Sequence, residues 1–290
     1  MSVSIGNIEV GSDKPLLIIA GPCVIESWDL LSQTAGALKE MSQELGFSLV
    51  FKASFDKANR TSYDSFRGPG LQFGLEMLGE IKRKFAVPVL SDVHEASQCP
   101  AAGDVLDVLQ IPAFLCRQTD LVVAAASTMK AVNIKKGQFV APLDILHSVR
   151  KVTEQGNLNV LVTERGSSFG YNNLVVDYRS IPMIQERGVP LVFDATHCLQ
   201  LPSAAGGVSG GLRQYIPQLA RAAVAAGCQG VFMEVHPNPD EALSDGATQI
   251  PLNQVRELIV QLLAIHKLVQ SLPEIRLPEK GQCAQPALAQ

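Results

Sequence analysis

Ser48-Leu-Val-Phe-Lys-Ala-Ser-Phe-Asp-Lys-Ala-Asn-Arg60 begins as a strand and ends as a ligand loop. Leu49, Val50 and Phe51 make a short apolar run of the kind that is buried in a parallel sheet. Lys52 follows at once, where an α/β protein exposes its strand ends to ligands. Behind it Asp56, Lys57, Asn59 and Arg60 crowd charge and amide into a few positions, and Ser54, Thr61 and Ser62 add neutral hydrogen-bonding groups. Such a cluster suits phosphate or sugar oxygens. One stretch thus predicts both an α/β architecture and an anion site.

The same pattern recurs along the chain. Strand-like runs lie at Leu16–Ala20, Ser48–Phe51, Pro88–Ser91, Val108–Ile111, Ala131–Ile134, Val160–Thr163, Leu191–Phe193 and Gly230–Met233. Between them apolar residues return at helical spacing, as in Leu31, Ala35, Leu38 and Leu45, or Val255, Leu258, Leu262, Ile265 and Val269. Alternation of eight strands and helices in a chain of 290 residues predicts a (β/α)8 barrel. A doubly wound open sheet is the rival, but the first strand is not followed by a GxGxxG turn. No linker divides the chain, so residues 1–290 are expected to form one domain. Val3 to Val10 alternates apolar and polar residues about Gly6-Asn7 and predicts a hairpin within residues 1–14, capping the barrel bottom. The tail 273–290, rich in Pro, Gln and Ala, is expected to fray.

Composition excludes several classes. With 24 basic and 28 acidic residues the net charge is −4, which argues against a nucleic-acid partner and makes any anion recognition local. No apolar run approaches the ~20 residues of a membrane span, and Met1 to Pro15 is too polar for a signal peptide. The expectation is a soluble, cytoplasmic protein with no membrane partner. Cys23, Cys99, Cys116, Cys198, Cys228 and Cys283 are scattered without a CxxC pair, which fits reduced thiols.

In a barrel the residues after each strand converge on one rim, where active sites lie. Here the rim would carry Gly21-Pro-Cys23, Lys52 with Lys57, Asp92-Val-His-Glu95, Gln110 to Arg117, Lys135 to Gln138, Glu164-Arg165, Asp194 to His197, and Glu234-Val-His236 with Asp245 beyond. Lys52, Lys57, Arg60, Lys135 and Arg165 supply more positive charge than one phosphate needs and suggest two anionic groups side by side. Cys23, His197, Glu234 and Asp245 supply a thiolate, an imidazole and two carboxylates, a set suited to a divalent metal of borderline softness. Their dispersal carries no metal signature of its own; read singly, Cys23 could be a buried thiol and His197 a core histidine.

Nearly the whole chain resembles the 3-deoxy-D-manno-octulosonate 8-phosphate synthase family, relatives of the aldol-type synthases of the shikimate pathway. The resemblance is carried by Phe51 to Arg60, Ser65-Phe-Arg-Gly-Pro-Gly70, Gln110 to Asp120, Lys135-Lys-Gly-Gln-Phe139, Phe169 to Asp177 and Phe232-Met-Glu-Val-His-Pro237. It implies a homotetrameric (β/α)8 barrel that condenses phosphoenolpyruvate with D-arabinose 5-phosphate, releasing phosphate, for lipopolysaccharide synthesis or a plant cell-wall polysaccharide.

The resemblance also implies roles. Lys52, Lys57, Lys135 and Arg165, with Gln138 nearby, would hold phosphoenolpyruvate. Asn59, Arg60 and Thr61 would hold the sugar phosphate, whose phosphate Arg117 would reach from a neighbouring subunit. Lys52, Lys57, Asp92, Lys135, His197 and Asp245 would serve catalysis. Members of the family with cysteine in the first-strand motif are metal-dependent and those with asparagine there are not, so Gly21-Pro-Cys23 implies a divalent ion (Mn, Fe, Zn, Co or Cd) on Cys23, His197, Glu234 and Asp245. Three alternatives stand beside this: the sister enzyme acting on erythrose 4-phosphate, to which Asn59-Arg60-Thr61 is a poor match; a metabolite-binding barrel without catalysis; and an aldolase forming a Schiff base on Lys52 or Lys135.

Overall fold

A computed structural model describes residues 2–60, 62–205 and 208–273, together with 275 and 277. Eight parallel strands form a closed ring: β1 (Leu17–Gly21), β2 (Ser48–Lys52), β3 (Val89–Asp92), β4 (Val108–Ile111), β5 (Ala131–Lys135), β6 (Val160–Glu164), β7 (Leu191–Asp194) and β8 (Gly230–His236). Each pairs with its sequence neighbours, and β8 closes the ring onto β1, with Phe232 opposite Ile19 and Glu234 opposite Gly21. The helices on the outside are α1 (Trp28–Leu45), α2 (Leu71–Phe85), α3 (Cys99–Val105), α4 (Thr119–Ser127), α5 (Leu146–Thr153), α6 (Ser180–Gln185), α7 (Ile216–Ala225) and α8 (Leu252–Ser271). The barrel read from the alternation is therefore present; seven strand runs fall within a residue of their expected place, and β8 runs three residues beyond the expected Met233.

Period-two alternation sorts each strand between two cores. Ile18, Leu49, Val89, Leu109, Val132, Val162 and Val231 face the helices. Leu17, Ile19, Val50, Leu90, Val108, Ala131, Leu161, Val192 and Phe232 fill the barrel interior. The expected hairpin, Val3–Ile5 paired with Ile8–Val10, adds Val3, Ile5 and Val10 to that inner core. It sits at the N-terminal ends of the strands, where Ser4 N donates to Asn159 Oδ1 at 2.9 Å just before β6. The hairpin thus plugs the barrel from below, at the end opposite the C-terminal ends of the strands.

Among the described residues no helix is long and apolar enough to cross a membrane. Cys23, Cys99, Cys116, Cys198 and Cys228 are free thiols. Cys283, Thr61 and all of the tail 273–290 except Pro273, Ile275 and Leu277 lie outside the described residues.

Candidate active site

Two residues beyond the inner apolar layer, period two brings the next side chain of each strand onto the same inner face, and there the chemistry changes. Val50 is followed by Lys52, Leu90 by Asp92, Val108 by Gln110, Ala131 by Asn133, Leu161 by Thr163, Val192 by Asp194 and Phe232 by Glu234. All seven are buried polar groups. Another step of two brings Lys135 and Arg165. A polar floor thus lies on an apolar plug, and above it opens a cavity of about 730 Å³.

The cavity gathers Lys52, Lys57, Asn59, Arg60, Asp92, Lys135, Gln138, Arg165, His197, Glu234 and Asp245 on one wall or another. These are the expected site residues from six strand ends. Thr61 lies outside the described residues, and two others of the expected set are not among them. Cys23 is wholly buried behind Lys52, and Arg117 is exposed outside the cavity of its own chain. His94, Glu95, Gln200 and the apolar Phe114 and Leu115 line the cavity as well. A separate cavity of about 430 Å³ between α7 and α8 has Arg213 and Glu257 as its ionisable lining.

The floor near β1 and β8 is built by close approach. A Cβ at Gly21 would lie 2.0 Å from the Lys52 carbonyl oxygen, so only glycine lets the end of β1 pass this close to β2. Lys52 Nζ then donates to the Cys23 carbonyl at 2.8 Å and to Glu234 Oε1 at 2.6 Å, while Lys57 Nζ stands 3.7 Å from the same carboxylate oxygen. The loop after β8 returns Asp245 to this point. Asp245 takes φ +49°, a left-handed conformation that aspartate tolerates. Cys23 Sγ donates toward Asp245 Oδ2 at 3.3 Å and Ser244 Oγ at 3.2 Å, and Arg60 donates to the same Ser244 hydroxyl at 2.6 Å. Gln249 braces the turn, accepting from Cys23 N at 3.3 Å and donating to the Ser244 carbonyl at 2.8 Å.

Donor atoms of Cys23, Glu234 and Asp245 lie within 4.8 Å of one another, a spacing that can hold a cation. Glu234 Oε2 is buried and has no hydrogen-bond partner among the described residues, although it faces His197 Nε2 at 3.5 Å. Burial, then the Glu234 carboxylate, pushes the Cys23 thiol well above its ordinary range. Burial would raise Glu234 too, but His197, Lys52 and Lys57 outweigh it and hold this carboxyl well below the usual carboxylate range. A protonated thiol, an ionised carboxylate with an unused lone pair and a second carboxylate fit a thiophilic divalent ion, which would take the place of the thiol proton. His197 stands beside this trio rather than inside it.

Across the floor Asp194 organises the cations. Its Oδ2 accepts from Lys135 Nζ at 2.8 Å and lies 2.8 Å from His197 Nδ1, and its Oδ1 accepts from His197 N at 2.9 Å and Thr196 Oγ1 at 3.0 Å. Burial disfavours the Asp194 charge, yet His197 and Lys135 hold its carboxyl well below the usual range. Arg165 donates to the His197 carbonyl at 3.0 Å and to Gln200 Oε1 at 2.7 Å. Burial pulls both Lys135 and Arg165 below their ordinary values, the mark of cations kept from water. Residue-type reading placed Asp194 on the rim without giving it a role. It also passed over Ser244, Gln249 and Gln200, which are uncharged and distant in sequence.

A sequence profile of the DAHP synthetase I family matches residues 1–271. Three similar proteins carry the name 2-dehydro-3-deoxyphosphooctonate aldolase. That of Desulfosudis oleivorans is 55% identical over 267 residues, 92% of this chain and 96% of the relative. That of Alkalilimnicola ehrlichii is 54% identical over 261 residues, 90% and 94% of the two chains. That of Syntrophotalea carbinolica is 52% identical over 273 residues, 94% and 99%.

Proposed function

The chain belongs to the DAHP synthetase I family, and from that premise we propose that it is a 3-deoxy-8-phosphooctulonate synthase. It joins phosphoenolpyruvate to D-arabinose 5-phosphate, with uptake of water, to give 3-deoxy-D-manno-octulosonate 8-phosphate and inorganic phosphate in lipopolysaccharide (KDO) biosynthesis. The observation that carries this reading is the cavity itself. Relatives named 2-dehydro-3-deoxyphosphooctonate aldolase match over nine-tenths of the chain, and the residues they would need converge from six strand ends on one polar pocket with Asn59 and Arg60 at its wall.

The chemistry follows from what each wall can do. An enol phosphate is a weak nucleophile, so rate must come from holding its methylene carbon against the aldehyde carbon of the open-chain sugar. Lys52, Lys57, Lys135 and Arg165, with Gln138, hold the carboxylate and phosphate of phosphoenolpyruvate. Asn59, Arg60 and Thr61 hold the sugar phosphate. As the carbon bond forms, the aldehyde oxygen gains charge and then a proton. Water adds at the enol carbon, and the phosphate leaves against the lysines that bound it. Asp92, His197 and Asp245 are the acid and base groups within reach of these steps.

Five cations and four carboxylates line the described cavity, which leaves little net positive charge for two highly anionic substrates. We infer a divalent ion on Cys23, Glu234 and Asp245, with His197 as the fourth ligand. Bound there, a Mn, Fe, Zn, Co or Cd ion would supply positive charge, orientation and polarisation of the aldehyde. Arg117, exposed just beyond the cavity-lining Phe114 and Leu115, would serve the sugar phosphate of a neighbouring subunit in a homotetramer. One barrel domain in the cytoplasm would carry the whole activity.

The test is release of phosphate and formation of the eight-carbon product with D-arabinose 5-phosphate, compared with erythrose 4-phosphate. Preference for the shorter sugar would transfer the chain to the sister reaction. Arg60→Ala should raise the KM for the sugar phosphate and leave that for phosphoenolpyruvate; the opposite outcome would reverse the two subsites.

A further inference from the structure

We propose that Gln110, Asn133 and Thr163 form a positioning relay that fixes one oxygen of Asp92, as Ser54 fixes the other, so that the carboxylate receives a hydroxyl of the phosphorylated sugar on the cavity floor. The functional half of this statement rests on the reaction proposed above. Four strands contribute in order. Thr163 Oγ1 on β6 donates to Asn133 Oδ1 on β5 at 2.7 Å, and Asn133 Nδ2 donates to Gln110 Oε1 on β4 at 2.8 Å. Gln110 Nε2 donates to Asp92 Oδ1 on β3 at 2.5 Å. Ser54 Oγ, beyond β2, donates to the other oxygen, Oδ2, at 2.5 Å.

Strand register makes this possible. Asp92 is the cross-strand partner of Gln110, and Gln110 of Asn133, so the side chains meet without bending the backbone. Gln110, Asn133 and Thr163 are fully buried, and each bond dictates the next. A carboxylate can only accept, so Gln110 must offer its NH2 and present its carbonyl to Asn133. Asn133 must then offer its own NH2 and present its carbonyl to the Thr163 hydroxyl. Reversing either amide would set two acceptors against each other in the barrel interior, where neither can turn to water.

Such an arrangement solves a problem of the cavity. Lys52, Lys57 and Lys135 all attract Asp92 and hold its carboxyl below the usual range despite its burial. Left free to turn, Asp92 would swing toward one of them and occupy a cation needed for phosphate. Tied at both oxygens, it stays out, while Lys52 and Lys57 point to Glu234 and Lys135 to Asp194. Asp92 lines the cavity and keeps unused lone pairs on both oxygens.

Asn133→Asp tests the relay because a carboxylic acid copies the amide in shape and donates the same bond only when protonated. Ionised, it faces Gln110 Oε1 with no proton to give. The charged groups around this part of the floor are Asp92 on β3, Lys52 on β2, Lys57 beyond it, Lys135 on β5 and His94 after β3. At neutral pH kcat/KM for D-arabinose 5-phosphate should fall about 10- to 100-fold, with the KM for phosphoenolpyruvate moving less than about twofold. Activity relative to wild type should recover as pH falls and the new carboxyl regains its proton.

The unfolding free energy of the variant reads the relay independently of turnover. Its new carboxyl has a folded pKa above the unfolded one, so stability is full below the unfolded value and is lost as pH rises through the folded value. A loss of activity equal at every pH, or a stability curve parallel to that of wild type, would make position 133 a packing site and overturn the relay. Wild-type protein that releases no phosphate would instead reject the reaction, and the stability curve would still decide the relay. Should Asn133→Asp not fold, Thr163→Val removes the terminal donor at constant shape. A change in the sugar KM alone is then expected, and equal changes for both substrates would overturn the proposal.

Discussion

Two halves of the same polar floor are built in opposite ways. From β3 to β6 the side chains of Asp92, Gln110, Asn133 and Thr163 bond one another in series. From β8 to β2 the groups converge without satisfying each other. Lys52 and Lys57 both turn to one oxygen of Glu234; among the described residues the other oxygen is left without a hydrogen bond, and the Cys23 sulfur makes long contacts alone. A closed network fixes geometry, whereas a buried acceptor left open needs a partner from outside. The first half is a mould and the second a socket.

Breaking the socket should give the largest effect. Lys52→Met removes the ammonium that stands 2.6 Å from a fully buried carboxylate, and leaving such a charge alone costs about 3–5 kcal/mol. Unfolding in urea with chelator present should show that loss, together with abolished turnover. Added manganese or cobalt should restore part of the stability, since a cation again stands beside Glu234. Equal unfolding curves with and without the ion would deny that this half of the floor is a cation site.

Cys23→Ser probes the socket more gently. Replacing a soft thiolate should weaken metal binding by at least about 10- to 100-fold, read by metal content after dialysis. Cobalt-loaded wild type should show thiolate-to-cobalt absorption that the variant lacks. Chelator-treated wild type should lose activity and regain it with the ion; full activity in metal-free protein would reduce the socket to an ordinary buried cluster.

Asp194→Asn acts where the halves meet, because Asp194 holds both Lys135 and His197. Loss of charge-assisted bonds of this kind costs about 1.5–3 kcal/mol, or roughly 10- to 100-fold in kcat/KM. The pH sign is fixed by the depressed Asp194 carboxyl. Its contribution to stability is present above the unfolded aspartate value of about 4 and is lost as pH falls from there toward the folded value. The variant should therefore lose less stability on acidification than wild type. A steeper acid loss would mean that Asp194 is not held in its ionised form.

The barrel was legible because a period of two and a period of 3.6 leave different marks, and Leu49 to Lys52 shows both the strand and the change of chemistry at its end. The cations were legible for the same reason, since Lys52, Lys135 and Arg165 continue the inward face of their strands. What the sequence concealed were contacts across distance. Gln249 and Ser244 stand more than two hundred residues from Cys23, and no local pattern announces that the loop beyond β8 folds back on the end of β1. Asn133 and Thr163 read as ordinary strand residues. Only the ring of strands turns them into a line of donors, and counting two residues on from each inner apolar position would have found them.

The smallest effects offer the sharpest comparison, because one serine hydroxyl serves each half. Ser54 donates to Asp92 Oδ2 at 2.5 Å, and Ser244 accepts from Arg60 at 2.6 Å and from the Cys23 thiol at 3.2 Å. In the mould, Ser54→Ala removes half of what restrains Asp92. The lost bond is worth about 0.5–1.5 kcal/mol, a fall of roughly two- to tenfold in kcat/KM for the sugar phosphate. In the socket, a bound ion would displace the thiol proton to solvent and the sugar phosphate would engage Arg60, so the Ser244 hydroxyl would have little left to hold. With metal and both substrates present, Ser244→Ala should therefore stay within about twofold of wild type. Matched losses in the two variants would mean that both halves are closed networks, and the distinction between mould and socket would fall with them.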